Sequence, residues 1–326
     1  MGASSQLQGG SRIEPAQLTT VPSRITVFAH LSSPPQENIL QITRLTPRFG
    51  AAITGVQPGN LDDAQFAAIK QAWHQLRGLL AFPKQQVSDD GLLVFSRRLG
   101  QLDSPPNQEH GRQSPEGYPE IYVVSNVKDN VGRPIGALGD GEAVWHTDMS
   151  YETRPPLASM LTAREIPASG GDTWFCDMIG LCEDLPAALR QRIAHLQVKH
   201  DGTYNAGGYL RAGVVANDNP VTAPGTLHPA ITRIPETGEA ALYLGRRRMA
   251  YIAGRSREDS EALLNALWSY TNNDARIYKH QWQIGDLVLW DNRTTMHRRD
   301  PFPATERRIM HRTQISGKTA PAAYAA

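Results

Sequence analysis

The sequence His146-Thr147-Asp148 places an imidazole and a carboxylate two residues apart. On an extended segment, side chains at i and i+2 lie on one face, so His146 and Asp148 could bind one metal ion while Thr147 points away. No other histidine of the chain has Asp or Glu two residues later, although one such pair among ten histidines is expected by chance. The motif alone is therefore weak evidence, and a hydrogen-bonded core histidine is the alternative.

A metal site needs a third ligand, and His297 is the best candidate. It follows the strand-like residues 287–290 and a turn at residues 291–293, and a barrel can bring such strand ends together. Two histidines and one carboxylate leave the opposite side of a metal open, which is the facial arrangement of non-haem Fe(II) oxygenases. The same three residues could instead hold zinc and activate water for hydrolysis. A surface position for His297 is the alternative without a metal.

Residues 308–315 alternate in a way that predicts a strand. Arg308 and Arg312 then share one face, opposite the apolar Ile309 and Ile315. Because the apolar face must pack, the arginine face must meet either solvent or a polar cavity. Arginine pairs with carboxylates through two parallel hydrogen bonds, so a cavity at this place would suit an organic acid.

Composition excludes several classes of protein. The 326 residues contain 33 Lys+Arg and 32 Asp+Glu, which gives no positive field for a nucleic acid. No apolar run approaches the length of a membrane span, and the first residues lack the pattern of a secretory signal. Two cysteines, Cys176 and Cys182, cannot form a disulfide framework and predict a reducing compartment. We expect a cytoplasmic protein that acts on a small molecule.

The pattern along the chain predicts a mainly β fold with flanking helices. Residues 1–39 are rich in Ser, Gln, Pro and Gly and predict a flexible N-terminal arm. Short β-branched runs such as residues 121–124 and 287–290 lie between Gly, Pro, Asn and Asp, which is typical of an antiparallel core. The run Arg246-Arg247-Arg248 is interpreted as a solvated turn. Helical spacing follows four predicted starts, namely Asn60 or Asp62, Ser88 or Asp89, Asp184, and Ser256 with Asp259 in a capping box.

From about Leu40 to Gly317 the chain resembles the TauD/TfdA family of Fe(II)- and 2-oxoglutarate-dependent dioxygenases. The resemblance depends on sequence blocks that occur in the order of the family. They are Gly78-Leu79-Leu80-Ala81-Phe82-Pro83, Trp145-His146-Thr147-Asp148, Pro155-Pro156, Gly170-Gly171-Asp172-Thr173, His228-Pro229, Pro235-Glu236-Thr237-Gly238, Ala241-Leu242-Tyr243, Gly285-Asp286-Leu287-Val288-Leu289-Trp290-Asp291-Asn292-Arg293, His297 and Arg307-Arg308-Ile309-Met310-His311-Arg312-Thr313.

The resemblance implies a double-stranded β-helix core, which is a jelly-roll or cupin-like fold, in a single domain over residues 40–318 followed by a disordered tail over residues 319–326. It implies that His146, Asp148 and His297 hold iron. In the family pattern, the arginine at the position of Arg308 binds the far carboxylate of 2-oxoglutarate. Thr173 would donate a hydrogen bond to the same carboxylate, and Trp290 would form part of the pocket wall. The position of Arg312 binds the anionic end of the prime substrate. Met149 and Glu142 are further candidates for substrate contacts, with a surface role for Glu142 as an equal alternative.

The implied reaction uses Fe(II), 2-oxoglutarate and O2, releases succinate and CO2, and hydroxylates a C–H bond of a small anionic organic molecule. Taurine-type members carry a substrate-binding histidine after the helix that ends here at Gly100, whereas this chain has Asp103-Ser104-Pro105-Pro106 and its nearest histidine is His110. This departure argues against taurine itself. The resemblance also implies a homodimer or homotetramer. The alternatives are a zinc-dependent hydrolase using the same three ligands and a non-catalytic β-helix binding module.

Overall fold

The computed structural model describes residues 39–104 and 114–325. These residues form a mainly β structure with flanking helices. The strands are β1 Gln41–Arg44, β2 Ala51–Thr54, β3 Leu79–Phe82, β4 Tyr122–Ser125, β5 Ala137–Leu138, β6 Ala143–His146, β7 Ala158–Glu165, β8 Thr173–Asp177, β9 Gln197–Asp201, β10 Gly225–Pro229, β11 Ile231–Arg233, β12 Ala240–Leu242, β13 Tyr251–Ile252, β14 Ile277–His280, β15 Leu287–Asp291, β16 Thr295–Arg299 and β17 Ile309–Ile315. The α-helices are α1 Asp63–Gln75, α2 Asp89–Leu99, α3 Met178–Asp184, α4 Ala187–Ile193 and α5 Arg257–Ser269, with 3-10 helices at Pro58–Asn60, Tyr270–Asn272 and Asp274–Arg276.

Two sheets pack face to face around an apolar layer. One has the strand order β1-β2-β3-β15-β7-β17-β4-β5 and the other β14-β8-β16-β6. In the layer between them, Phe175 of β8 packs against Trp290 of β15, with ring centroids 5.6 Å apart. Two smaller sheets, β10-β9-β13 and β11-β12, complete the structure. Two facing sheets with mostly antiparallel pairs are the jelly-roll arrangement that the sequence predicts.

Strand alternation explains how one strand serves two apolar layers. In β15, Leu287 and Leu289 pack with the residues of α1 and α2, whereas Val288 and Trp290 face the opposite sheet. Successive side chains of a strand point to opposite faces, so an unbroken apolar strand needs cover on both sides. The helices supply that cover on the outer face of the larger sheet.

Three of the predicted helix starts are confirmed, and each cap is a local contact. The side chains of Asp62, Ser88 and Ser256 accept hydrogen bonds from backbone amides three residues later. The predicted start at Asp184 is wrong, because Asp184 is instead the last residue of α3 and α4 begins only at residue 187. Pro186 causes the interruption between α3 and α4. The helical conformation is disfavoured for a residue that precedes proline, and Leu185 accordingly has an extended ψ of 133°. Within the described residues, no helix is long and apolar enough to span a bilayer.

Of the two ends of the chain, the structure describes only the C-terminal one, and that end differs from the expectation. Residues 1–38 of the expected arm lie outside the described residues, as do Pro105, Pro106 and His110. The tail from residue 319, expected to be disordered, pairs with β11 instead. The Arg233 amide donates to the Ala322 carbonyl at 3.0 Å, and the Tyr324 amide donates to the Ile231 carbonyl at 3.1 Å. Tyr324 also packs on the apolar cluster beneath β11, which explains why this short Ala-rich segment is held.

Candidate metal centre and adjoining cavities

The structure brings the three predicted metal ligands together. His146 ends β6 and lies directly opposite His297 of β16, with ring centroids 4.1 Å apart. Asp148 follows two residues later, and its Oδ1 lies 3.7 Å from His146 Nε2 and 3.9 Å from His297 Nε2. One donor atom from each residue falls within 4.8 Å of the others. These separations allow one ion to contact all three donors.

Hydrogen bonds orient two of these ligands. His146 Nδ1 lies 2.7 Å from the Val144 carbonyl, so a proton on Nδ1 leaves the Nε2 lone pair for a metal. Asp148 Oδ2 accepts a hydrogen bond of 2.8 Å from the Ser159 hydroxyl. Ser159 in turn accepts one of 3.2 Å from Asn292, whose Oδ1 accepts 3.0 Å from Trp290 Nε1.

The charge states of the triad also suit a metal. Burial lowers the pKa of His297 to about 3, and neighbouring His146 acts in the same direction, which keeps the imidazole neutral. Burial alone would raise the pKa of Asp148, but Arg312 and the two histidines hold it well below its usual range. Two imidazoles and one carboxylate are the donor set of a non-haem Fe(II) centre, so the residues present fit that ion.

A first cavity, here called the Arg308 cavity, lies beside the triad. It is lined by Val124, Leu138, Ala143, His146, Leu161, Thr173, Trp290, His297, Arg299, Arg308 and Arg312. The Arg308 side chain is 1% exposed, and its Nε and Nη2 have no hydrogen-bond partner in the part of the chain that the structure describes. Burial, together with nearby Arg299, lowers the pKa of Arg308 to about 9. The Arg308 cavity therefore offers a cation to an anion.

The predicted partners of Arg308 also line this cavity. Thr173 Oγ1 accepts a hydrogen bond of 2.9 Å from Trp282 Nε1, so its own hydroxyl hydrogen is left for another acceptor. Trp290 is 1% exposed and its ring centroid lies 4.8 Å from that of His297. The structure thus places Thr173, Trp290 and Arg308 around one space, on the same side of the triad.

The paired glycines before Thr173 allow the chain to pass close to Arg308. Gly170 and Gly171 have φ values of 74° and 69°, which side chains rarely adopt. A Cβ on Gly170 would lie 2.4 Å from the Pro301 carbonyl oxygen. A Cβ on Gly171 would lie 3.2 Å from Cγ of Pro167 and 3.4 Å from both Cδ and Nε of Arg308. Both positions therefore favour glycine for conformation, and Gly170 also needs it for space.

A second cavity, here called the Arg211 cavity, adjoins the triad as well. Its lining includes Tyr122, Leu138, His146, Asp148, Met149, Tyr151, Asp201, Arg211, Arg246 and Arg312. Arg312 Nη1 donates to Asp148 Oδ1 at 3.2 Å, its guanidinium lies 4.7 Å from the Tyr122 ring centroid, and its Nε has no partner among residues 39–104 and 114–325. Met149 lies on the wall as expected. Glu142 is exposed and belongs to the lining of neither cavity, which argues against its expected substrate contact.

Sequence reasoning missed three arginines near the triad. Arg246, interpreted as part of a solvated turn, is 7% exposed and pairs with Asp201 at 2.5 Å. Arg211 stacks on Tyr151 with its Cζ 3.9 Å from the ring centroid. Arg299 lines the Arg308 cavity, and its position two residues after the predicted ligand His297 was a signal that could have found it, because alternate side chains of a strand share a face.

Comparison with known proteins agrees with this geometry. The family model described as "Taurine catabolism dioxygenase TauD, TfdA family" matches residues 41–314. The (S)-phenoxypropionate/alpha-ketoglutarate-dioxygenase of Sphingobium herbicidovorans is 32% identical, over 86% of this chain and 96% of that protein. The pentalenolactone F synthase of Streptomyces avermitilis is 33% identical, over 84% of this chain and 93% of that protein. The crystal structure of a taurine dioxygenase from Burkholderia xenovorans superimposes with a TM-score of 0.68 at 28% identity, covering 86% of this chain and 91% of that chain.

The matched region includes both cavities and all three ligands of the triad. The predicted double-stranded β-helix fold and the predicted enzyme class are confirmed, which decides against the zinc hydrolase and the binding module. The chain belongs to the TauD/TfdA family and is an Fe(II)- and 2-oxoglutarate-dependent dioxygenase.

Proposed function

We propose that this enzyme hydroxylates a C–H bond of a small organic acid, with the cosubstrate in the Arg308 cavity and the prime substrate in the Arg211 cavity. The observation that carries the proposal is a pair of buried arginines beside the triad, Arg308 just before β17 and Arg312 within it. Nε and Nη2 of Arg308 have no partner among the described residues, while Arg312 pairs with Asp148 through Nη1 and leaves its Nε without one. A buried guanidinium with unsatisfied donors is costly, so each of these arginines favours an anionic ligand. Two such groups suit two organic acids.

For the cosubstrate, Arg308 pairs with the far carboxylate of 2-oxoglutarate and Thr173 donates its hydroxyl hydrogen to the same group. Trp290 forms the wall and, through Asn292 and Ser159, is linked to Asp148. Fe(II) held by the triad supplies, when bound, the oxidative decarboxylation of 2-oxoglutarate to succinate and CO2 and the oxidation of the C–H bond. The residues orient the oxo acid and exclude water from this step.

For the prime substrate, Arg312 supplies the charge that holds the acid group close to the triad. Arg211 adds a second cation at the same cavity, and its Nε has no partner in the described part of the chain. The rings of Tyr122 and Tyr151 provide apolar surface next to these charges, while Met149 contributes to the wall. A carboxylate attached to an apolar or aromatic body fits this lining. The phenoxypropionate named for one relative has this chemistry.

We propose that the enzyme works in the reducing environment of the cytoplasm. Cys176 and Cys182 are both buried and free, which supports a reducing, cytoplasmic environment. We propose a single catalytic domain over residues 40–318. Family resemblance predicts a homodimer or homotetramer, and light scattering on the purified protein would measure its mass.

The test is succinate release from 2-oxoglutarate with Fe(II) under air, across aryloxyalkanoates, arylalkanoates, alkanoates and alkylsulfonates. A true substrate stimulates succinate release and yields a hydroxylated product in equal amount. Arg312→Met should abolish the stimulation, whereas Arg307→Met, which alters an exposed arginine paired with Glu165, should not. Stimulation by amines or neutral molecules alone, undiminished in Arg312→Met, would overturn the proposed substrate class.

A further inference from the structure

Arg299 occupies the Arg308 cavity although nothing in the triad requires it there. It is the last residue of β16 and lies two residues after His297, so both side chains share a face. Its direct cross-strand partners are Thr173 in β8 and Ala143 in β6. The side chain is 6% exposed. A second buried guanidinium therefore stands next to the threonine assigned to the cosubstrate.

The guanidinium of Arg299 is only partly satisfied by the protein. Its Nη2 donates to the Leu138 carbonyl at 3.0 Å and also to the Gly141 carbonyl. Its Nε has no partner among the residues described by the structure. Nη2 of Arg299 thus holds a backbone segment, while its Nε remains a free donor in a residue that lines the cavity.

The segment that Arg299 holds, residues 138–141, begins with a residue that the two cavities share. Leu138 is a lining residue of both the Arg308 cavity and the Arg211 cavity. It has a φ of 74°, an uncommon conformation for a branched side chain that the surrounding contacts must maintain. The Phe302 amide adds a hydrogen bond to this segment by donating to the Asp140 carbonyl at 3.2 Å, but Arg299 alone contributes two. Leu138 is also the last residue of β5, which pairs with β4 and places Leu138 opposite Ser125, so Arg299 and this strand pairing hold Leu138 together.

We propose that Arg299 is a second residue for the far carboxylate of 2-oxoglutarate, and that it couples cosubstrate binding to the wall of the prime-substrate cavity. Its Nε donates to the carboxylate while Nη2 keeps residues 138–141 in place. A carboxylate has about four acceptor sites, so it can take donors from Arg308, Thr173 and Arg299 together. This inference rests on the proposed assignment of 2-oxoglutarate to the Arg308 cavity.

The experiment uses the full chain loaded with Mn(II). This ion accepts oxygen and nitrogen ligands, and the protein that contains it binds the cosubstrate without catalysing the reaction. Calorimetry measures the affinity of N-oxalylglycine, in which an N–H replaces one methylene of 2-oxoglutarate, and of 2-oxobutyrate, which lacks the far carboxylate. The variants are Arg299→Gln, Arg299→Lys and the control Arg298→Gln. Arg298 is the adjacent residue, but it lies over the Trp174 ring and pairs with Asp300. Hydrogen exchange follows the amides of residues 137–144 with and without N-oxalylglycine.

We expect Arg299→Gln to weaken N-oxalylglycine binding about tenfold or more, because a charge-assisted hydrogen bond is lost. Binding of 2-oxobutyrate should change less than about twofold, since that ligand has no far carboxylate. Arg299→Lys should recover part of the affinity, and Arg298→Gln should match the unaltered protein. N-oxalylglycine should slow exchange over residues 137–144 in the unaltered protein and not in Arg299→Gln.

Three results would overturn the inference. They are unchanged N-oxalylglycine affinity in Arg299→Gln, an equal loss of affinity for both ligands, and equal protection of residues 137–144 in both proteins. Mn(II) affinity shows whether Arg299→Gln is folded. If it is not, the two ligand affinities and the hydrogen exchange are measured on Arg299→Lys and judged by the same three results. The proposed function fails in a different way. In that case the unaltered protein binds neither oxo acid, or Arg308→Met binds N-oxalylglycine as well as the unaltered protein, and the inference fails with it.

Discussion

The Ser159 hydroxyl donates a 2.8 Å hydrogen bond to Asp148 Oδ2, and this leaves Oδ1 of the same carboxylate towards both histidines of the triad. Ser159 lies in β7, which belongs to the larger sheet, whereas His146 and His297 belong to the smaller one. The metal centre is therefore assembled across the two sheets. The rotamer of Asp148 depends on a strand that supplies no ligand.

Ser159→Ala should weaken metal binding without removing a ligand. The substitution takes away the donor that fixes Oδ2, and losses of this kind commonly reduce metal affinity by about 10- to 100-fold. Titration of Mn(II) followed by calorimetry measures the effect. Ser96→Ala is the matched control, because Ser96 is equally buried but bonds the Leu92 carbonyl and Thr313. Equal Mn(II) affinity in Ser159→Ala and Ser96→Ala would show that Asp148 needs no such support.

Arg308→Met should stabilise the ligand-free protein while removing cosubstrate binding. Methionine fills a similar length of cavity without a charge, so the cost of burying an unpaired guanidinium disappears. We expect the free energy of unfolding to rise by about 1 kcal/mol or more. Urea unfolding of the metal-free protein measures this change. Arg307→Met, at an exposed ion pair, should change stability by less than about 0.5 kcal/mol. A less stable Arg308→Met protein would mean that the charge is compensated within the fold.

The affinity for 2-oxoglutarate should fall on the alkaline side. Burial and Arg299 lower the pKa of free Arg308 to about 9, and a bound carboxylate raises it again by stabilising the charged form. Binding above pH 9 therefore requires uptake of a proton. Affinity should be level below about pH 9 and fall by up to about tenfold per pH unit above it. Calorimetry with N-oxalylglycine between pH 7 and 10 would show the break, and a level profile through pH 10 would contradict it.

The features that sequence predicted well are those that depend on near neighbours. The caps Asp62, Ser88 and Ser256 each bond an amide three residues later, so the cap and its partner lie in one short window. The alternation of residues 308–315 likewise predicted that Arg308 and Arg312 share one face, although β17 itself begins at Ile309. The alternation did not decide whether this face meets solvent or a cavity. That depends on the facing sheet, about which residues 308–315 carry no information.

The features that sequence reasoning missed depend on residues distant in the chain. Arg246 is buried because Asp201, 45 residues earlier, supplies its counter-ion. The tail from residue 319 is ordered because β11, about 90 residues earlier, has a free edge to pair with it. A basic run and an Ala-rich end look solvated when read alone. Only the three-dimensional partner changes that interpretation.

Alanine substitutions at the paired glycines should separate stability from cosubstrate binding. Both residues have positive φ, so each substitution carries a backbone penalty of about 1–2 kcal/mol. At Gly170 the new Cβ would also lie 2.4 Å from the Pro301 carbonyl oxygen. This oxygen belongs to the backbone, so it can move only if the chain that follows β16 moves with it. At Gly171 the Cβ instead meets side-chain atoms, Cγ of Pro167 at 3.2 Å and Cδ and Nε of Arg308 at 3.4 Å, which a shift of a few tenths of an ångström relieves. Gly170→Ala should therefore be the more destabilising of the two.

Cosubstrate affinity should follow the opposite order once stability is taken into account. Gly171→Ala places a methyl group against the guanidinium that receives the far carboxylate, so N-oxalylglycine binding should weaken about threefold to tenfold in protein that is still folded. In Gly170→Ala, measured well below its unfolding midpoint, the affinity should change less, because the clash is with Pro301 rather than with Arg308. Urea unfolding and calorimetry on the same samples compare the two quantities. If affinity and stability decline in parallel in both variants, the glycine pair serves the turn alone and Gly171 has no separate role at Arg308.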